Sequence, residues 1–239
     1  MPLVASALDE RPTKVVKWSC RSQHYFEKSA DMTGPQAHWI ESTEEGATIP
    51  PHFHVVDQFQ IFTDGDGWFG KHALQPLDVQ YADHYSTYGP IVAGPRGFHF
   101  MTIRATPDPD GGHYMPESRP LMRQAGMKAG RSFVLHVPVP ELASIQKALL
   151  LTLRDFEDGL AIRRVDLPPG QSVVGPDPSG GNGQHFMVVA GGVRYQDRLH
   201  TSRSLIFVRP DEPPLTLTAG GEGVSVLALS FPRRTTPAP

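Results

Sequence analysis

Short stretches in which apolar and polar residues alternate recur along most of the chain. Residues 57–63 alternate in this way, and residues 68–74, 78–85 and 98–105 continue the pattern, with glycine, proline and aspartate between them. Alternation with a period of two is typical of half-buried β-strands, and the intervening breakers indicate turns. The pattern therefore predicts an all-β protein.

Residues 141–157 break this alternation. Leu142, Ile145, Leu149 and Phe156 recur there at helical spacing, and the sequence predicts one helix. The predicted order is thus a β-rich half, a connector with the helix, and a second β-rich half. The corresponding predicted regions are 1–130, 131–160 and 161–239.

An internal similarity relates the two β-rich halves. Residues 58–65 align without a gap to residues 184–191, and both segments begin with glutamine and end with glycine. Fixed-offset similarity of this kind indicates duplication. We therefore expect two barrels built on one plan.

Composition limits the functional classes. The 239 residues carry a net charge of −3 and no long run of lysine or arginine, which argues against nucleic-acid binding. The longest apolar stretch is too short to cross a membrane, and the N-terminus lacks the pattern of a secretory signal. Cys20 is the single cysteine. Together these features predict a cytoplasmic protein without membrane or nucleic-acid partners.

His52 and His54 form the strongest chemical motif. Two residues separated by one position on a strand point to the same face of the sheet. Paired neutral imidazoles are good ligands for Fe, Mn, Ni, Zn or Cu. The pair therefore predicts a divalent metal site, although two partly exposed strand histidines would give the same pattern.

The spacing around this pair resembles the first motif of the cupin superfamily. Gly46 is followed by five residues, then His52 and His54, three residues, Gln58, six residues and Gly65. Gln58 stands where the family usually has glutamate. It brings a neutral carbonyl oxygen and no charge. The resemblance makes Gln58 either a metal ligand or a catalytic residue that hydrogen-bonds the substrate.

A second cupin-like motif supplies the candidate third ligand, His99. The Pro95-Arg96-Gly97 element fits, but His99 lies one position earlier than the family pattern asks, where Phe100 would be the ligand. A slip of one residue turns a strand side chain to the other face unless a bulge absorbs it. His84 is the alternative third ligand.

The C-terminal half lacks the equivalent histidines. His52 and His54 map to Pro178 and Gly180 under the internal alignment. The resemblance therefore implies a bicupin: two cupin-type (double-stranded β-helix, jelly-roll) barrels joined by one connecting helix, with a metal-binding N-terminal barrel and a degenerate C-terminal barrel.

The resemblance implies a metal-dependent enzyme, foremost a non-haem Fe(II) dioxygenase acting on a small aromatic or enolisable substrate. His52, His54 and His99 would hold the metal, and Arg96 and Arg104 are candidates for orienting a carboxylate or enolate. A metal-dependent lyase or isomerase, and a non-catalytic small-molecule-binding cupin, are the alternatives. Cupins also often pair through strand edges, so a homodimer is expected.

Overall fold

The computed structural model describes residues 1–124 and 130–233, which form two compact units. The N-terminal unit comprises Arg11–Pro138. The C-terminal unit comprises Met1–Glu10 together with the chain from Val139 onward. This division differs from the predicted one, because strand β1 (Leu3–Ala5) hydrogen-bonds to a strand of the C-terminal unit.

The N-terminal unit is built almost wholly of antiparallel strands. Its main sheet has the order β12-β9-β7-β10-β4-β3-β2, with β5 beside β10 and β8 beside β7, and β6 pairs separately with β11. The strands are β2 (Lys14–Val16), β3 (Cys20–Phe26), β4 (Gln36–Ser42), β5 (Thr48–Ile49), β6 (His52–Phe53), β7 (Gln58–Phe69), β8 (His72–Leu74), β9 (Asp78–Ala82), β10 (Ile91–Arg104), β11 (His113–Tyr114) and β12 (Ser132–His136).

The long strand β10 contributes large side chains to the hydrophobic core of this unit. Phe98 and Phe100 point to the same face of β10 and pack with Phe62 of β7 in one buried cluster. Burial of such large side chains is the main stabilising contribution to a sheet of this kind, at roughly 2–3 kcal/mol for each phenylalanine. The remaining members of the cluster include Ile49, Phe69, Leu74, Tyr88, Ile91 and Ala93.

The C-terminal unit repeats this plan. Its sheet has the order β1-β18-β16-β19-β14-β13, with β15 beside β19 and β17 beside β16. The strands are β13 (Leu149–Asp155), β14 (Ala161–Leu167), β15 (Ser172–Val174), β16 (Gln184–Tyr195), β17 (Arg198–Thr201), β18 (Leu205–Val208) and β19 (Thr216–Ser230). The aligned glutamines Gln58 and Gln184 each begin a twelve-residue strand.

A close approach between two glycines occurs in both units. A Cβ added to Gly65 would lie 2.1 Å from the carbonyl oxygen of Gly97, and one added to Gly191 would lie 2.2 Å from that of Gly223. Gly65 and Gly191 also have positive φ angles of 90° and 70°, which L-residues rarely adopt. The offset that joins Gly65 to Gly191 also joins Gly97 to Gly223. The shared contact supports the duplication seen in the sequence.

The predicted helix over residues 141–157 is wrong. Leu142–Ser144 forms a single 3-10 turn, and Leu149–Asp155 is strand β13, which pairs with β14 at the edge of the sheet. The leucine run fits a helix or a strand equally well by spacing, and pairing with β14 decides in favour of the strand.

Helices are short in the described residues. The α-helix α1 (Arg119–Gln124) lies in the N-terminal unit, and Pro178–Gly180 forms a 3-10 turn in the C-terminal unit. Among the described residues, no helix is long and apolar enough to span a membrane.

Candidate functional site

A cavity of about 430 Å³ lies in the N-terminal unit, against one face of strands β3, β4, β7 and β10. The strand registers explain which side chains face the cavity. Thr102 on β10 lies opposite Gln60 on one neighbouring strand and His38 on the other. The lining residues are Val16, Lys17, Trp18, Cys20, Ser22, His24, Gln36, His38, Ile40, Ile49, His52, His54, Gln60, Phe100, Thr102, Arg104, Asp108, Asp110, Gly111, Gly112 and Tyr114.

The structure brings His52 and His54 together at this cavity. Their rings lie 5.2 Å apart, centroid to centroid, at nearly a right angle. Phe53, between them in sequence, is fully buried on the other side and stacks on His113. The side-chain alternation on which the sequence prediction rested is therefore present.

The imidazole of His52 is held in one tautomer. Its Nδ1 lies 2.7 Å from the carbonyl oxygen of Pro50, which has no hydrogen to donate, so Nδ1 carries the proton and Nε2 keeps a lone pair. Burial, followed by the nearby charge of a protonated His54, lowers the pKa of His52 to about 3. His52 is therefore neutral at physiological pH.

His54 is held by a carboxylate. Its Nδ1 donates a 2.5 Å hydrogen bond to Oδ2 of Asp108. Burial and the positive charge of Arg104 lower the pKa of His54 to about 4, although Asp108 acts in the opposite direction. Burial acts to raise the pKa of Asp108, but the hydrogen bond from His54 and the charge of Arg104 outweigh it, so this pKa is lowered. Asp108 is therefore an anion that orients a neutral imidazole.

The cavity has a polar wall formed by Gln36, His38, His52, His54, Gln60, Thr102, Arg104 and Asp108. Arg104, one of these residues, is only 4% exposed. Its Nη2 donates to Oε1 of Gln58 at 3.0 Å and lies 3.4 Å from Nε2 of His54. Its Nη1 donates to Oε1 of Gln36 at 2.9 Å. Gln58 itself donates from Nε2 to the hydroxyl of Tyr88. The amide oxygen of Gln58 is thus bound to a guanidinium.

His99 does not join this site. Its Nδ1 lies 3.7 Å from Oε2 of Glu41, its ring packs 5.8 Å from that of Trp39, and the cavity is lined by Phe100 instead. The register between β10 and β4 is continuous here, and the irregularity between His99 and Phe100 lies in the pairing with β7. The bulge needed to turn His99 inward is therefore missing from β10, and the assignment of His99 as third ligand is wrong on geometry.

His84, the alternative third ligand, is held elsewhere. Its Nδ1 lies 2.6 Å from Oδ1 of Asp57, and the same carboxylate accepts the backbone N–H of His84 at 2.8 Å. Its side chain does not line the cavity. His84 is a hydrogen-bonded surface histidine.

Several lining residues were not among the sequence candidates. His38, Gln60 and Thr102 face the cavity from β4, β7 and β10. At the rim, Nε1 of Trp18 donates to the hydroxyl of Tyr114 at 3.3 Å. Alternation along β10 places Thr102 on the same face as Arg104, so the sequence of that strand was sufficient to predict its position. The contributions from β3 and β4 depend on long-range pairing.

The C-terminal unit has no polar counterpart to this wall among its described residues. Gln60 and Thr102 correspond to Phe186 and Ala228, which are paired in register and buried in an apolar cluster. Phe100 corresponds to Val226 of the same cluster. Side chains therefore fill the interior of the C-terminal unit at the positions that line the cavity of the N-terminal unit.

The donor set does not fit the three-histidine metal centre that the resemblance implies. His52 and His54 offer two Nε2 lone pairs, but Phe100 occupies the third motif position, and the amide oxygen of Gln58 faces Arg104. Among the described residues, no three histidine, cysteine, aspartate or glutamate side chains are arranged to hold a metal ion. A cation between His54 and Gln58 would also meet the guanidinium at short range.

No protein-family model and no curated protein matches the sequence. The fold, in contrast, is similar to solved structures. An 11S globulin from Wrightia tinctoria with an auxin-binding site is 11% identical, with a TM-score of 0.61 over 98% of this chain and 84% of the globulin. A protein of Nostoc punctiforme assigned provisionally as a dioxygenase is 12% identical, with a TM-score of 0.61 over 99% of this chain and 81% of that one.

The bacterial pirin YhhW of Escherichia coli, solved in complex with nickel(II), is a third similar structure. It is 15% identical, with a TM-score of 0.59 over 98% of this chain and all of YhhW. Identities this low establish the fold alone. The chain has the cupin fold, and its β-sheets form jelly-roll-like barrels.

Proposed function

We propose that this protein is a small-molecule-binding cupin whose ligand occupies the cavity of the N-terminal unit without a metal ion. The cavity, at about 430 Å³, has the size of ordinary ligand sites, and its walls combine apolar side chains with a few converging polar groups. That cavity is the observation that carries the proposal. The auxin-binding site of the 11S globulin supports it, since a protein of the same fold binds a small organic molecule.

The walls indicate an aromatic or otherwise flat apolar ligand. Phe100, Ile40 and Ile49 supply apolar surface, and Trp18 and Tyr114 supply aromatic surface at the rim. The rings of Trp18 and Tyr114 lie 5.3 Å apart, and that of Tyr114 lies 5.4 Å from the ring of His52. Aromatic side chains of this kind bind flat ligands by offset or edge contacts.

A metal-dependent oxygenase is the second candidate. One observation favours it: Nδ1 of both His52 and His54 is fixed by an oxygen acceptor, and this is the arrangement by which proteins orient histidine ligands toward a metal. The nickel(II) of YhhW and the provisional dioxygenase are in line with it. Fe(II) is the first metal to test, followed by Mn, Ni, Zn and Cu, and Gln58 would then orient the substrate.

Metal analysis separates the two candidates. Untagged protein, and the same protein reconstituted anaerobically with Fe(II), would be compared with the double variant His52→Ala/His54→Ala. We expect no stoichiometric metal in either preparation of the wild type, and thermal stabilisation by aromatic small molecules in the presence of EDTA. Stoichiometric metal that is lost in the double variant would overturn the metal-free proposal in favour of the oxygenase.

We also propose that the protein is a cytoplasmic homodimer. Strand β2 ends the sheet of the N-terminal unit, and Val15 on it is 83% exposed. An exposed apolar edge strand favours pairing with a second chain. Sedimentation equilibrium should give twice the chain mass, and a monomer at all concentrations would contradict the homodimer.

A further inference from the structure

Arg104 lies among residues of the first cupin-like motif. Its Nη2 lies 3.0 Å from the amide oxygen of Gln58 and at nearly equal distances, 3.3 and 3.4 Å, from Nδ1 and Nε2 of His54. Gln58 and His54 are two of the residues that the motif offers to a metal. A guanidinium carries its positive charge at every physiological pH, so the site already holds a cation.

Two residues that line the same cavity each have a buried polar atom without a hydrogen-bond partner in the described part of the chain. Within the described residues, neither Oε1 of Gln60 nor Oγ1 of Thr102 has a hydrogen-bond partner. Both residues line the cavity, and both are at least 97% buried, with exposures of 3% and 1%. Burying such atoms without a partner is unfavourable, so they indicate a polar group of a ligand or a water at this point.

These groups lie along one face of strand β10. Thr102 and Arg104 are two positions apart on β10 and face the same side, which separates them by about 6.7 Å along the strand. Gln60 lies opposite Thr102 on β7. A flat ligand that lies along this face would contact both residues, and Phe100 extends the same face with an apolar surface.

The geometry points to a small aromatic carboxylate with a hydroxyl group at the far end of its ring. The carboxylate would contact the guanidinium of Arg104, and the hydroxyl would donate to Gln60 and accept from Thr102. The inference rests on the proposed function and names the ligand class of that site. Arg104 then provides the positive charge that holds an anionic oxygen of the ligand.

The charged side chains that line the cavity cancel one another, so an anionic ligand is recognised only at short range. Lys17 and Arg104 are balanced by Asp108 and Asp110, so the described lining has no net charge. Asp108 lies 3.8 Å from Arg104 and accepts the 2.5 Å hydrogen bond of His54. A ligand anion is therefore selected by direct contact with the guanidinium, and its affinity should depend weakly on salt.

The test compares 4-hydroxybenzoate with its neutral amide, 4-hydroxybenzamide, by calorimetry in EDTA. Wild-type protein should bind the acid more tightly than the amide. Arg104→Gln should weaken the acid about 30-fold and leave the amide within about threefold, because one charge-assisted contact is lost. Arg96→Gln is the matched control, since the side chain of Arg96 on the same strand is 66% exposed, contacts Gly65 and Asp66, and does not line the cavity.

The hydroxyl end is tested separately, with variants that keep Arg104. Thr102→Val and Gln60→Leu should weaken 4-hydroxybenzoate and leave benzoate unchanged. Melting temperatures of all variants verify folding. If Arg104→Gln is unstable, Arg104→Lys replaces it; this variant keeps the charge and should retain part of the affinity. Thr102→Val and Gln60→Leu test the hydroxyl contacts whether or not Arg104→Gln folds.

The possible failures are distinguishable. Equal affinity of wild type for acid and amide would overturn the carboxylate inference and leave the small-molecule proposal standing. Binding of neither, nor of a panel of aromatic and aliphatic carboxylates and amides, would overturn both. A stoichiometric metal bound by His52 and His54 would overturn the role of Arg104 as the resident cation.

Discussion

Asp108 accepts a 2.5 Å hydrogen bond from Nδ1 of His54, although the two residues are 54 positions apart in the chain. The contact fixes the imidazole beside Arg104, whose Nη2 lies 3.3 and 3.4 Å from Nδ1 and Nε2 of His54. Because Asp108 is 4% exposed, this pair is a buried charge-assisted hydrogen bond. It links the loop after β10 to the histidine motif and holds the polar wall in one arrangement.

Asp108→Asn should therefore destabilise the protein by about 1–3 kcal/mol, because the anion that orients His54 and faces Arg104 is lost. Urea unfolding measures the change. Asp110→Asn is the matched control, since the side chain of Asp110 is 57% exposed at the rim of the same cavity. Equal stability of the two variants would show that the His54 contact contributes nothing.

Acid should destabilise the protein through His52 and His54. Their pKa values are about 3 and about 4 in the folded protein, and that of histidine in an unfolded chain is about 6.5. The unfolded chain binds more protons between these values, so the free energy of unfolding is fully present above pH 6.5 and falls as the pH drops toward 4. The loss should be on the order of 2 kcal/mol at pH 5 for each histidine.

Urea titrations from pH 7.5 to pH 4.5 measure this slope. His54→Gln should flatten it, because the variant has no imidazole to protonate at that position. His84→Gln is a suitable control, as the side chain of His84 is 34% exposed and lies away from the cavity. An unchanged slope in His54→Gln would assign the acid sensitivity to other groups.

Gly97→Ala should be far more destabilising than Gly34→Ala. Both glycines have similar positive φ angles, 72° and 79°, so both substitutions carry the same backbone strain of about 1–2 kcal/mol. A Cβ on Gly97, however, would lie 2.0 Å from the carbonyl oxygen of Ser42, while one on Gly34 would meet nothing within 4 Å. Thermal unfolding of the two variants isolates the clash, and similar melting temperatures would contradict it.

Cys20 should react slowly with thiol reagents in the native protein. Its side chain is 2% exposed, and burial raises the pKa of its thiol to about 11, so the reactive thiolate is scarce at neutral pH. The reaction with Ellman's reagent should be slow in buffer and rapid in concentrated urea. Fast reaction in buffer would mean that Cys20 is accessible from the cavity that it lines.

His99→Ala should leave ligand binding unchanged, in contrast to His52→Ala. His99 contacts Glu41 and Trp39 away from the cavity, whereas His52 lines it. Calorimetry with 4-hydroxybenzoate compares the two variants directly. Equal losses of affinity would place His99 in the site after all.

The sequence was informative wherever local geometry decides the outcome. Strand alternation alone placed His52 and His54 on one face, and the fixed offset from Gln58 to Gln184 identified the duplicated plan. The same rule, applied to the second motif, favours Phe100 over His99. His99 is a misleading candidate, because the register of the strand, and not the residue type, decides which side chain faces the cavity.

The sequence was uninformative wherever distant segments meet. The run around Leu149 is compatible with a helix until pairing with β14 makes it a strand. Arg104 was a candidate for orienting an anion, yet its position between Gln58 and His54 results from a contact across the sheet and the β6 segment. The polar wall of β4 likewise depends on its register with β10.

The pairing of β1 with β18 has a consequence for how the chain is made. Leu3–Ala5 is synthesised well before its partner, Leu205–Val208, which follows some two hundred residues later. The segment Arg11–Pro138 is continuous and has its partners within itself, so it can reach its native pairing while synthesis continues. Strand β1 therefore waits for β18 before it can pair, and the cavity-bearing unit is the earlier of the two to mature.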